Sequence, residues 1–272
     1  MCDTCGCNVT EANRKLVEAG GKHARTKSGN ESIEVLQNLL HENNHRAAHN
    51  REHFDKHQVL AINLMSSPGS GKTALLEATI DALRDELNIA VIEGDLETEN
   101  DARRIREKQV PAIQITTGSA CHLDAYMVHD ALHELALDGL DIVFIENVGN
   151  LVCPASFDLG HHLNVTLLSV TEGDDKPAKY PVMFRASNLN LLTKSDLLPV
   201  LDDFSVQRAE QAIRHLANPA PIMQISARKN LGMEQWFSWL QQQLTHYREH
   251  LAQGQTLLPD IQREGQRLHA TG

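Results

Sequence analysis

The most specific chemical signal in this sequence is the segment 66–73, which reads Ser-Ser-Pro-Gly-Ser-Gly-Lys-Thr. It follows an aliphatic stretch typical of a buried strand and precedes a stretch typical of a helix, the context that a phosphate-binding P-loop requires. Lys72 is placed to reach the β- and γ-phosphates, and the Thr73 hydroxyl to bind Mg²⁺. Ser66 stands where such loops usually have a glycine. A chance Gly-Lys-Thr in a turn is the alternative. The expected phosphate-binding residues are Gly69, Ser70, Gly71, Lys72 and Thr73.

A second segment indicates which base the nucleotide carries. Thr193, Lys194 and Asp196 end a predicted strand and resemble the base-recognition element of GTPases. A carboxylate there accepts two hydrogen bonds from guanine N1–H and the 2-amino group, which adenine does not supply. Ser226 and Ala227, at a later strand end, resemble the loop that supports the base. The simpler alternative for Lys194 and Asp196 is a solvated turn.

Further acidic residues follow other predicted strands and complete a candidate hydrolysis site. Asp95 ends the second strand, and Glu146 ends the fourth, shortly before Gly149. The carboxyl ends of strands in an open parallel sheet are where ligands bind. Asp95 or Glu146 would hold Mg²⁺ through water, and the Gly149 N–H would sense the γ-phosphate. Asp95 is also a candidate for orienting the attacking water, whereas Glu93 fits an ordinary loop acid equally well. Lys72, Asp95 and Glu146 are thus the candidate catalytic residues.

Three of the five cysteines, Cys2, Cys5 and Cys7, lie in the first seven residues. An odd number of thiols clustered this tightly favours metal ligands over disulfides. With the N-terminal amine they offer four donors, a set that suits square-planar Ni²⁺ and also zinc or Cu(I). Metal binding would release thiol protons, so affinity should fall in acid. Spare N-terminal thiols are the alternative.

Cys121, His122 and Cys153 form a second candidate metal site. They follow two predicted strands whose ends lie at the same edge of a parallel sheet, so we expect the three side chains to converge. Three ligands leave one position for water or for a group from another chain. Because Cys153 lies four residues after Gly149, nucleotide state is expected to alter metal coordination. The alternative is that both cysteines are small core residues.

Five histidines follow one another at intervals of four residues on a predicted helix. The first three should face water, and the last two turn towards the apolar stripe. Neighbouring pairs can bridge a metal ion, which would make the row a secondary nickel buffer, although a polar helix face explains it equally well. Two other pairs with this spacing, His129/His133 and His246/His250, are expected to be ordinary surface residues. The row consists of His41, His45, His49, His53 and His57.

Alternating strands and helices must position all of these residues. The alternation predicts an α/β fold of the P-loop NTPase type, with a mostly parallel sheet covered by helices on both faces. We divide the chain into a flexible metal-binding segment (1–30), a histidine-bearing helix (31–57), a GTPase domain (58–252) and a fraying tail (253–272). The predicted strands are 59–65, 89–93, 112–116, 141–147, 165–171, 189–193 and 221–226, and the helices of the domain are 72–87, 100–108, 122–137, 205–217 and 231–250.

Length and charge exclude several classes of protein. The 272 residues carry 36 acidic and 25 basic side chains, a net charge of −11. This balance disfavours nucleic-acid binding, which requires a basic face. No stretch approaches the ~18 apolar residues of a membrane span, and the first residues do not resemble a signal peptide. A cytoplasmic protein that handles cations is the expectation.

Taken together, these motifs resemble the HypB family, the GTPases of the SIMIBI class that help insert nickel into [NiFe]-hydrogenase. The resemblance covers roughly residues 33–243 and the first seven residues. The opening cysteines point to this family rather than to the similar urease accessory GTPases.

The resemblance implies hydrolysis of GTP to GDP and phosphate, and tight nickel binding by the N-terminal cysteines. It also implies a zinc or nickel site at Cys121, His122 and Cys153, at the contact of a homodimer formed in the GTP state. A HypA-type nickel carrier and the hydrogenase large subunit are the implied partners. A small-molecule kinase and a metal store with a regulatory nucleotide are the competing hypotheses.

Overall fold

The computed structural model describes residues 30–95, 100–118 and 120–261. Cys2, Cys5 and Cys7 lie outside the described residues. At the centre is one seven-stranded sheet in the order β3-β2-β4-β1-β5-β6-β7, and every pair of neighbouring strands is parallel. The strands are β1 (Leu60–Ser66), β2 (Ile89–Asp95), β3 (Ala112–Thr116), β4 (Ile142–Glu146), β5 (Leu163–Ser169), β6 (Leu189–Thr193) and β7 (Ile222–Gln224).

Helices cover both faces of this sheet, because successive side chains of a strand point to opposite sides. Leu60 and Ile62 of β1 belong to a core that includes Trp236, whereas Ala61 belongs to a second core with Phe54. The helices are α1 (Asn30–Lys56), α2 (Lys72–Leu83), α3 (Asn100–Arg106), α4 (Ala125–Glu134), α5 (Lys176–Lys179), α6 (Pro181–Arg185), α7 (Val206–His215) and α8 (Met233–Ala252).

Helix α1 is held by buried polar contacts to α4 and to the loop before β5. The Asn43 side chain donates to the Asp158 carbonyl at 2.8 Å and accepts from the Ala125 N–H, at the start of α4, at 2.9 Å. Arg51 pairs with Asp158 at 2.7 Å, and both side chains are buried. The histidine-bearing helix therefore contacts the two segments that follow His122 and Cys153.

The predicted α/β fold is confirmed, since all seven predicted strands and each of the predicted helices are present. The largest shifts in strand ends are about two residues, at β2, β5 and β7. Two short helices, α5 and α6, were not predicted; each begins with a proline in its first turn. Among the described helices, none has the length and apolar character needed to span a bilayer.

The prediction of a fraying tail is wrong for residues 253–261. The Thr256 hydroxyl donates to Asp55 at 3.0 Å, and the Asp260 carbonyl accepts from Asn164 at 3.2 Å. Ile261 is buried. Single tertiary contacts, polar and apolar, hold this segment, which is why helical or strand periodicity does not predict it.

Candidate nucleotide and metal sites

The P-loop joins β1 to α2 through two glycines in left-handed conformations, with φ of +75° at Gly69 and +98° at Gly71. Residues with a Cβ rarely adopt such angles, so the requirement here is conformational. The Lys72 ammonium donates to the Ser66 hydroxyl at 3.0 Å. The serine that replaces the usual first glycine thus gives the buried lysine a partner within the loop.

The base-recognition residues lie directly beside the P-loop. Thr193 Oγ1 donates to the Ser70 carbonyl at 2.7 Å, and the Lys194 ammonium donates to the Gly69 carbonyl at 2.7 Å. These two contacts fix the end of β6 against the loop that would hold the phosphates. A cavity of about 570 Å³ is lined both by the P-loop and by the end of β6, and Asp196, Ser226 and Ala227 also line it.

A second cavity, of about 330 Å³, is lined by Pro68, Lys72 and Thr73 and shares Gly71 with the first. The Thr73 hydroxyl donates to Glu146 Oε1 at 2.9 Å there. Asp95, half-buried, and Gly149 line the same space. Both loops predicted to handle the γ-phosphate and its metal ion therefore face Lys72 and Thr73 across one cavity.

Sequence reasoning left Glu93 open between a functional carboxylate and an ordinary loop acid; in the structure it is buried and lines this second cavity. Burial raises its pKa to about 8, and the neighbouring Glu146, Asp101 and Asp95 add to the shift. Burial also raises the pKa of Glu146, against the opposing effect of Lys72. Position at a strand end was the only sequence signal for Glu93, since depth of burial is not visible in the sequence.

Mg²⁺ fits this cluster of acids. Within the described part of the chain, Oε2 of Glu93 and Oε2 of Glu146 are buried without a hydrogen-bond partner. Buried carboxylate oxygens without partners are costly unless a cation or a proton satisfies them. Hard oxygen donors beside a P-loop threonine are the set that Mg²⁺ prefers.

The candidate metal site is formed by Cys121, His122 and Cys153, whose ligand atoms all lie within 4.8 Å of one another. The two sulfur atoms are 3.2 Å apart, and Cys121 Sγ is 3.6 Å from His122 Nδ1. Burial lowers the pKa of His122 to about 4, so its ring is neutral at physiological pH. Phe157 stacks on that ring, with 4.0 Å between centroids, and so fixes its plane.

Direct contacts join this metal site to the nucleotide loops. Asn147 Oδ1 accepts a hydrogen bond from the Leu123 N–H at 3.2 Å, and Asn150 Nδ2 donates to the Cys121 carbonyl at 3.3 Å. Gly94 touches Leu123 so closely that a Cβ would lie 2.7 Å from its Cδ2. These links were not predicted, because each depends on tertiary contact between loops far apart in sequence.

The P-loop itself touches the loop that carries Asn150. A Cβ on Gly149 would lie 2.8 Å from the backbone nitrogen of Pro68, so only glycine permits this approach. Pro68, Gly149 and Asn150 therefore connect the phosphate cradle to the backbone of Cys121.

Comparison with known proteins decides the family. The sequence model described as "CobW/HypB/UreG, nucleotide-binding domain" matches residues 60–224. The hydrogenase maturation factor HypB of Escherichia coli strain K12 is 52% identical over 82% of this chain and 77% of its own length. HypB of Rhizobium leguminosarum bv. viciae is 51% identical over 81% and 74%. The chain belongs to the HypB family.

Solved HypB structures share the fold. HypB from Helicobacter pylori, described as a complex with nickel, has a TM-score of 0.72 and 42% identity, covering 75% of this chain and 96% of that one. HypB from Archaeoglobus fulgidus has a TM-score of 0.71 and 36% identity, covering 75% and 100%. Membership of the HypB family confirms the predicted class of enzyme, a P-loop GTPase.

Proposed function

We propose that this HypB-family chain hydrolyses GTP to GDP and phosphate and uses the nucleotide state to control nickel delivery during [NiFe]-hydrogenase maturation. The observation that carries the proposal is the direct contact between the loop of Cys121 and His122 and the loop that follows Glu146. The name of its E. coli relative, a hydrogenase maturation factor, and the nickel complex of its H. pylori relative support the same function.

Guanine would bind in the larger cavity with Asp196 as its specific acceptor. The ribose and phosphates would then extend over the P-loop, where Lys194 and Thr193 already hold the Gly69 and Ser70 carbonyls. Ser226 and Ala227 would close the cavity around the base. Adenine would leave the Asp196 carboxylate without its two donors in a largely dry site.

Hydrolysis would rest on positioning and charge, as in other P-loop enzymes. Lys72 would leave Ser66 for the β- and γ-phosphates, and the Gly149 N–H would contact the γ-phosphate. Asp95 would orient the attacking water. Thr73, with Glu146, Asp95 or Glu93, would hold Mg²⁺, which when bound neutralises charge that develops on the phosphate oxygens.

Nickel would be the cargo of the Cys121, His122 and Cys153 site. Two thiolates and a neutral imidazole suit Ni²⁺, and Zn²⁺ also accepts this set. Both cysteines are reduced thiols, and His122 needs to lose no proton, so only the thiols release protons on binding. A group from a second subunit would fill the fourth position, which makes a homodimer in the GTP-bound and metal-bound state part of the proposal.

The remaining assignments concern residues and partners beyond the described structure. Cys2, Cys5 and Cys7 would form a tight nickel site. A HypA-type nickel carrier would supply the ion, and the hydrogenase large subunit would receive it. We place the protein in the cytoplasm, with neither nucleic acid nor membrane as a partner.

A complementation experiment tests this function. Cells that lack the chromosomal gene and carry the Lys72→Ala variant should have little hydrogenase activity, and added nickel should restore it. Lys229→Ala, which removes an exposed lysine outside both cavities, is the matched control and should behave like the parent. Full activity with Lys72→Ala, or a loss that nickel does not relieve, would contradict the proposal. A second assay distinguishes this proposal from the kinase hypothesis. Release of phosphate from GTP in the absence of any small-molecule acceptor favours the GTPase.

A further inference from the structure

Two histidine pairs from different helices meet on the surface. His49 and His53 lie one turn apart on α1, and His129 and His133 lie one turn apart on α4. The ring centroids of His49 and His129 are 5.1 Å apart, and those of His53 and His129 are 6.3 Å apart. Within the pairs the centroid distances are 4.7 Å for His49 and His53 and 4.5 Å for His129 and His133. We call these four residues the histidine cluster.

Hydrogen bonds fix the tautomer of the central ring. The Asn50 amide nitrogen already donates to the Ala125 and Leu159 carbonyls, so Asn50 Oδ1 must be the acceptor in its 3.0 Å contact with His129 Nδ1. His129 therefore carries its proton on Nδ1 when neutral, which leaves a lone pair on Nε2. Histidines that bind metals are oriented in the same way, by a hydrogen bond from the other ring nitrogen.

The free lone pair of His129 faces another histidine. Nε2 of His129 and Nε2 of His133 are 3.0 Å apart. His133 must donate in this contact when the site is empty. Its neutral ring can instead carry the proton on Nδ1, and both Nε2 atoms then become available to a cation.

The surroundings keep the inner rings neutral. The pKa of His53 is lowered by burial and by the charges of His49, His133, Lys56 and His57. Burial also lowers the pKa of His129; Arg46, His133 and His49 add to this, while Asp130 opposes it. Neutral imidazole is the form that binds transition metals.

We propose that the histidine cluster is a further metal site, which binds a divalent transition ion of the Ni²⁺ and Zn²⁺ class through imidazole nitrogens alone. His49 and His133 are exposed and His53 and His129 are half-buried, so an ion can enter directly from solvent. Such a site exchanges its metal faster than a buried thiolate site. The proposal is independent of the proposed function, because metal binding alone decides it.

The cluster also divides the five-histidine row. His41 and His45 have the same spacing and are exposed, but in the described part of the chain neither makes a ring contact with another helix. Two imidazoles one turn apart give a weak site, and four from two packed helices give a stronger one. His41 and His45 therefore provide a matched control on the same helix.

Equilibrium dialysis of the full-length chain against Ni²⁺ tests the proposal. His49→Gln with His133→Gln removes two exposed ligands and should lower the affinity of one metal equivalent at least tenfold. His41→Gln with His45→Gln should leave the midpoint of that equivalent unchanged. Thermal unfolding of each variant verifies that the fold is retained, and His133→Gln alone provides a milder second variant that should give a smaller loss.

Three results would overturn the site. The first is unchanged nickel binding in the His49/His133 variant, and the second is an equal loss of affinity in the His41/His45 control. The third is a loss of affinity only for those nickel equivalents whose binding produces thiolate-to-nickel absorption. The last outcome separates the cluster from the cysteine sites, since imidazole ligands give no such absorption band.

Discussion

Asn147 Oδ1 accepts a hydrogen bond from the backbone N–H of Leu123 at 3.2 Å. Asn147 follows the acidic end of β4, and Leu123 follows the metal-site histidine. The same oxygen accepts from the Val148 N–H at 3.0 Å, so one buried side chain holds both loops. A shift of the β4 loop on γ-phosphate binding would therefore displace His122, or else break a buried hydrogen bond at a cost of about 1–3 kcal/mol.

Asp196→Ala should abolish the preference for guanine nucleotides. Two hydrogen bonds to a charged acceptor would be lost, so GTP affinity should fall about 100-fold while ATP affinity changes little. Competition binding with GTP and ATP measures this, and Asp202→Ala, an exposed neighbour, is the control. Unchanged selectivity would refute the assignment of the base.

Glu93→Gln should change how stability depends on pH in the chain without nucleotide and metal. The folded pKa of Glu93 is raised from 4.5 to about 8, so the folded state holds this proton more tightly than the unfolded state. The parent should therefore lose stability as pH rises from 4.5 to about 8 and level off above it. Glutamine mimics the protonated form, so the free energy of unfolding of the variant, relative to that of the parent, should rise over that interval. Denaturant unfolding at pH 5, 7 and 9 measures it; parallel curves would exclude the buried, protonated carboxyl.

Cys153→Ser should weaken nickel binding at the Cys121 and His122 site at least ~10-fold, because loss of an outer-shell partner alone costs that much. Metal-dependent dimerisation with GTP should decline with it, as measured by size-exclusion chromatography with and without nickel. The converse variant, Ser at Cys2, Cys5 and Cys7 together, should lose the tight nickel site and retain hydrolysis and dimerisation. If both variants lose the same equivalent of nickel, the two sites are not separate.

Asn150→Ala should loosen the coupling between the sites and leave each site able to bind. It removes the 3.3 Å hydrogen bond to the Cys121 carbonyl and leaves every metal-ligand side chain and every P-loop residue in place. Because the Asn147 contact with Leu123 remains, calorimetry should give nickel affinities for the GDP and GTP states that differ less in the variant than in the parent. An undiminished difference between these states would show that this contact transmits nothing.

Sequence reasoning predicted the parts of the site that local geometry determines. The Gly69 and Gly71 turn follows from residue type, and Cys121 and Cys153 meet because parallel strands end at one edge. Glu93 stayed an open alternative because its pKa depends on depth of burial. The pairing of His129 with His49 was missed for a related reason, since it depends on how α4 packs against α1.

The central claim, that the nucleotide state governs the metal site, is tested most directly by titrating nickel into the chain bound to GDP and to a non-hydrolysable GTP analogue. The titration uses the variant in which Cys2, Cys5 and Cys7 are replaced by serine, so the N-terminal site binds no nickel. Thiolate-to-nickel absorption then reports binding at Cys121 and Cys153. The account predicts affinities that differ at least tenfold between the two nucleotides. Identical titration curves would contradict it.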